Sequence, residues 1–177
     1  ELYNSKEIYD FLNRRFSPPP PYDIYNLSIP TDLKLEPDNK PKLVYDLTDK
    51  SFWKKNQLKA SVVITAYNCK KECVLTLKHL YQQDLPKKEW ELILVDDGSQ
   101  EDLLPVLKDL NFLKQMNFKF ISLPRVLPRT GPKDHRFRAG IARNLGAKYA
   151  KGKNLLFLDA DILIPSYYIS SVCQLLK

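Results

Sequence analysis

From Ala60 onward the chain alternates short aliphatic runs with helical stretches, and that alternation limits the folds open to it. Ser61–Thr65 is a β-branched run of strand length, and Glu91–Val95, Phe118–Ser122 and Asn154–Leu158 follow as three more. Asn68 is placed to cap a helix whose apolar stripe is Cys73, Val74, Leu77, Leu80 and Tyr81. Leu103–Lys114 predicts a second helix capped at Asp102, with Pro105 in the first turn, where a missing N–H is tolerated. Ala139–Ala150 predicts a third, which Gly152 helps to end. Pro165 opens a last helix with Ile169, Val172, Cys173 and Leu176 on one side. Strands separated by helices predict an α/β fold, a mainly parallel sheet covered on both faces.

Residues 1–59 differ in kind. They hold seven of the 13 prolines, five of the 10 tyrosines and no glycine. Pro18–Pro21 favours polyproline II, and Glu7–Arg15 suits a short helix. The division expected is a proline-rich arm, 1–59, packed on or linked to a domain at 60–177, with Tyr22, Tyr25, Phe52 and Trp53 as its anchors.

In parallel sheets, ligands bind beyond the carboxyl ends of the strands. Three of these ends carry polar clusters: Thr65-Ala66-Tyr67-Asn68, Asp96-Asp97-Gly98-Ser99 and Asp159-Ala160-Asp161. Dinucleotide folds and P-loops place glycines after the first strand, so that backbone can approach phosphate. This chain has no glycine before Gly98. Asp159 with Asp161 offers another route, a hard divalent cation held by carboxylate oxygens and bridging to a pyrophosphate. The pair also suits two loop acids near a helix cap. Asp97-Gly98 is likewise an ordinary turn signal, yet either aspartate places an acceptor where a ribose hydroxyl or a base N–H needs one.

Charge narrows the partners. The net charge of +7 suits an anionic ligand or surface, and Arg125, Arg129, Lys133, Arg136, Arg138 and Arg143 crowd one stretch against Asp134 alone. Basic arms interleaved with stacking aromatics are absent, which excludes nucleic acid as the expected partner. Three cysteines are too few for a disulfide framework and favour a reducing compartment. Cys69 and Cys73 near His79 form an incomplete zinc pattern, so core or surface thiols are the expected reading. No apolar run approaches the ~20 residues that cross a bilayer, and no leader pattern opens the chain. The expected location is cytoplasmic, or peripheral at a membrane. The chain starts at Glu1 and its only methionine is Met116, as in an excerpt of something longer.

VVITAYN, then ELILVDDGS, then AGIARNLGAKYAKGKNLLFLDADI resembles the signature order of family 2 glycosyltransferases, across Ala60 to Lys177. The resemblance implies a GT-A α/β/α sandwich, a nucleoside-diphosphate sugar donor with UDP favoured, and a divalent metal, Mn²⁺ or Mg²⁺. It implies that Thr65, Ala66 and Tyr67 line the base pocket and that Asp97 meets the base, with Asp96 beside it. Gly140, Arg143 and Asn144 would border the nucleotide. Asp161 would be the principal metal ligand, and Asp159 would lie near ribose and metal. In that family the acceptor-binding half and the catalytic base lie downstream of the D-x-D motif, and sixteen residues follow Asp161 here. The expected chain is therefore a sheet truncated after D-x-D, inactive alone, and prone to self-association through an exposed sheet edge. The implied reaction of the complete enzyme is inverting transfer to an acceptor saccharide or glycoconjugate.

Two other readings compete. Phe157-Leu158-Asp159-Ala160-Asp161 fits the opening of a haloacid-dehalogenase-type phosphoryl-transfer enzyme, although Ile162 departs from that pattern and TAYN and DDGS go unexplained. A non-catalytic nucleotide-sugar-binding module is the second.

Overall fold

The four aliphatic runs form strands, and one further strand comes from the proline-rich segment. In the computed structural model, residues 40–48, 58–125 and 137–176 are described, all within the compact unit Leu35–Lys177. The strands are β1 (Leu43–Asp46), β2 (Ala60–Ala66), β3 (Trp90–Asp96), β4 (Asn117–Ser122) and β5 (Asn154–Asp159). The helices are α1 (Lys70–Tyr81), α2 (Leu104–Asp109), α3 (Ala139–Tyr149) and α4 (Tyr168–Leu175). The sheet order is β1-β4-β3-β2-β5; β1 is antiparallel to β4 and every other pair is parallel. The expected anchors Tyr22, Tyr25, Phe52 and Trp53, and most of the basic stretch (126–136), lie outside the described residues.

Alternation along the strands divides the core into two layers. Val62, Ile64, Leu92, Leu94, Phe118 and Phe120 face α1, α2 and α4, where Leu77, Leu80, Leu107 and Ile169 are buried against them. Val63, Ile93, Val95 and Ile121 face α3, under Ala142 and Leu145. Gly146 lets α3 lie close, since a Cβ there would run into the Val63 side chain. α3 packs on β2 and β3, so β5 keeps Leu155 and Phe157 exposed on that face. On the opposite flank the buried Lys119 is satisfied by Asp46 of β1 at 3.7 Å and by the Tyr149 ring at 5.5 Å.

Four local expectations change. Cys69, not Asn68, occupies the N-cap of α1, and no side chain caps it. Asn68 instead takes a left-handed φ of 51° and bonds the 99–100 loop. The helix expected over Leu103–Lys114 breaks at Leu110 and resumes as a 3₁₀ turn, Asn111–Gln115. A continuous 3.6-residue period from Leu103 and Leu107 would carry Lys114 inward, whereas the break buries Leu113 and Met116.

Gly152 does not cap α3, which ends at an extended Ala150. Its role is close approach, because a Cβ would collide with the backbone of Ala60 and Ser61. The Gly152 N–H donates to Ser61 Oγ at 2.7 Å, and the Lys151 N–H to Glu91 Oε1 at 2.5 Å. Pro165 opens a turn in which the Tyr168 N–H bonds its carbonyl, and α4 begins three residues later. Ile169 and Cys173 are buried on α4, Val172 is partly buried and Leu176 is exposed.

Candidate functional site

Parallel pairing sets the polar clusters side by side. Register places Ala66 opposite Asp96 and Thr65 opposite Asp159, so β3, β2 and β5 deliver their ends to one edge. The Asp97 N–H continues the ladder to the Ala66 carbonyl at 2.9 Å. Gly98 then turns with φ 75°, against the backbone of Arg125, where no Cβ fits. Ser99 closes the loop: its N–H and hydroxyl both donate to Asp96, and its Oγ accepts the Asn68 N–H at 2.8 Å. Burial pushes the Asp96 carboxyl above its ordinary value, offset in part by the Ser99 bonds.

Asp97 lies deeper. Its side chain has no exposed surface, and Arg138 at the N-cap of α3 encloses it through Nε, Nη2 and the backbone N–H. Arg138 also donates to the Pro124 carbonyl at 2.8 Å, tying the ends of β3 and β4 to α3. Beside it, Phe137 stacks on Tyr67 with ring centroids 5.6 Å apart and planes within 8°. The crowding of basic residues in its stretch was the sequence signal for Arg138.

α3 supplies the far side. Gly140, Arg143 and Asn144 share a helical face, opposite the buried Ala142, Leu145 and Gly146. Open space surrounds the missing Cβ of Gly140, and Asn144 is exposed. Arg143 Nη2 meets Asp159 Oδ1 at 2.7 Å in an exposed pair. The Thr76 hydroxyl holds the Ala160 carbonyl at 2.8 Å, fixing the turn between Asp159 and Asp161. Thr65 Oγ1, buried between the ends of β3 and β5, has no hydrogen-bond partner among the described residues. A buried hydroxyl left in that state is a polar group waiting for a ligand or water.

The donor set suits a cation shared with its ligand. Among the described residues no three His, Cys, Asp or Glu side chains converge as a closed cage. Asp159 and Asp161 are both exposed, and each offers hard carboxylate oxygen. Mg²⁺-type sites use one or two carboxylates and complete their shell with phosphate and water, which fits this pair. Cys73 does not suit that role: it is buried, and desolvation pushes its thiol up to about 12. Cys69, closer to Asp161, is also raised by burial.

The profile of glycosyl transferase family 2 matches residues 61–177. The chain belongs to glycosyl transferase family 2. It is 34% identical over 109 residues to poly(ribitol-phosphate) beta-glucosyltransferase of Bacillus spizizenii, covering 62% of this chain and 16% of that protein. It superposes on Staphylococcus aureus TarS 1–349 in complex with UDP-GlcNAc with a TM-score of 0.54 and 28% identity, over 66% of this chain and 30% of that one. The mannosyltransferase PcManGT of Pyrobaculum calidifontis, in complex with GDP-Man and Mn²⁺, matches in fold, with a TM-score of 0.54 and 20% identity over 70% and 34%. The fold is GT-A, and family membership removes the phosphoryl-transfer reading.

Proposed function

We propose that this domain binds a nucleoside-diphosphate sugar, a UDP-sugar in preference, together with Mn²⁺ or Mg²⁺, for inverting transfer to an acceptor hydroxyl. The observation that carries the reading is the alignment of three polar strand ends at one edge, with the unpartnered Thr65 hydroxyl between them. Thr65, Ala66 and Tyr67 would border the base, with Asp96 and Asp97 holding that edge of the pocket. Gly140, Arg143 and Asn144 would flank the nucleotide from α3. Asp161, with Asp159 beside it, would hold the cation, which when bound neutralises the leaving diphosphate. TarS, a relative by sequence and fold, is known with UDP-GlcNAc bound, which favours uridine.

The chain spans 16% of the length of its Bacillus relative. Transfer is therefore proposed for a protein that also supplies an acceptor platform and a base, since a positioned base contributes ~10²–10⁴ in rate. Calorimetry with UDP tests the donor reading. Mn²⁺ should tighten binding, chelator should reverse it, and Asp161→Asn should abolish the dependence. Equal UDP affinity with and without chelator would remove the metal from the proposal.

A further inference from the structure

Arg138 and Arg143 leave α3 five residues apart, and each grips a strand-end aspartate, but the two pairs differ in burial. Arg138 and Asp97 are 8% and 0% exposed, whereas Arg143 and Asp159 are 40% and 53% exposed. Breaking the buried pair would strand a charge out of water. The exposed pair is solvated on both sides, is screened by salt, and parts at little cost. Asp159 is also one of the two carboxylates that fit a divalent cation.

We propose that Arg143 is an exchangeable counter-ion: it holds Asp159 in the ligand-free protein, yields that carboxylate when a divalent cation binds, and turns its guanidinium to the donor's diphosphate. The inference rests on the donor-site reading above. A dication and a guanidinium compete for the same Asp159 oxygen, and the double charge prevails where the ion pair is weak. Once released, the guanidinium stays at this edge, because Ala142, Leu145 and Gly146 anchor its helix in the core. Gly140, one turn earlier on the same face, leaves open space beside it. A planar fork of donors then matches phosphate oxygens in pairs. One arginine thus offsets the Asp159 charge before binding and the diphosphate charge afterwards.

The competition makes two affinities move in opposite directions. In the 177-residue chain, Mn²⁺ binding without nucleotide is measured by the electron paramagnetic resonance signal of free Mn²⁺, and UDP binding at saturating Mn²⁺ by calorimetry. Arg143→Met should bind Mn²⁺ alone about two- to fivefold more tightly, the scale of one exposed ion pair. The same variant should bind UDP about tenfold more weakly, as for lost hydrogen bonds to a charged group. Arg143→Lys should recover part of the UDP affinity, because a point charge replaces a bidentate fork. Both affinities unchanged, or both weakened, in a Met variant that melts like wild type would overturn the exchange. Failure of the wild-type chain to bind UDP with Mn²⁺ would instead overturn the donor-site reading itself.

Discussion

Arg138 encloses the carboxylate of Asp97, with Nε 2.9 Å and Nη2 2.7 Å from Oδ1 and the backbone N–H donating to Oδ2. This buried pair locks the N-terminus of α3 to the end of β3. It also alters what a strand-end acid should do when it is removed. As a motif residue at a loop, Asp97 looks dispensable for folding. As a buried ion-pair partner it is not.

Asp97→Ala should therefore lower unfolding free energy by about 3–5 kcal/mol, because it removes one partner of a buried ion pair. Urea titration followed by circular dichroism measures this directly. A midpoint equal to wild type would show that the guanidinium finds water or another acceptor at no cost.

Thr65→Val separates binding from folding at the neighbouring strand. The Thr65 hydroxyl is buried without a partner, so an apolar group of the same shape should leave stability unchanged or raise it by about 1 kcal/mol. UDP affinity should fall at the same time. A destabilised Val variant with normal UDP binding would assign the hydroxyl to the fold alone.

Two glycines should respond to alanine in opposite ways. At Gly152 an added Cβ collides with the backbone of Ala60 and Ser61, which should cost about 1–3 kcal/mol. At Gly140 nothing lies within 4 Å, and alanine in the first turn of α3 should stabilise by up to about 1 kcal/mol. Thermal melts of the two variants should shift apart, and a matching shift would contradict the packing described.

Asp96 should leave a signature in the pH dependence of stability. Burial raises its carboxyl above the ordinary 3.8, so the folded protein holds this proton more tightly than the unfolded chain. Its contribution is present below 3.8 and is lost as pH rises through the raised value. Asp96→Asn removes that slope while keeping an acceptor for Ser99. The Asn variant should thus gain on wild type as pH rises above about 4, read from urea midpoints across a pH series. A pH-independent difference would mean that Asp96 titrates alike in both states.

Much of the architecture follows from local pattern. Aliphatic runs of strand length matched β2 to β5 to within two residues at either end, because a strand that packs on a core must present aliphatic side chains to it. β1 was not legible: Leu43–Asp46 carries Lys42 and Asp46 at its margins and becomes a strand only by pairing with β4. The break at Leu110 was equally hidden, since it depends on which side of the chain meets the core. Gly152 was visible as a helix stop, but its contact is with Ala60, 92 positions earlier.

The candidate site divides in the same way. Which residues gather at this edge of the sheet was legible beforehand, because strand ends and the polar clusters that follow them are local features. The state of each acid there depends on long-range packing. Asp97 is enclosed by an arginine 41 residues away and Asp159 is lightly held by another 16 residues away. That difference depends on how α3 docks across β2 and β3, which buries the Arg138 side chain beside β3 and leaves Arg143 partly exposed beside β5. Local pattern encodes the amphipathic face of the helix; where each arginine lands, and how much water it keeps, is set by the packing of distant chain segments.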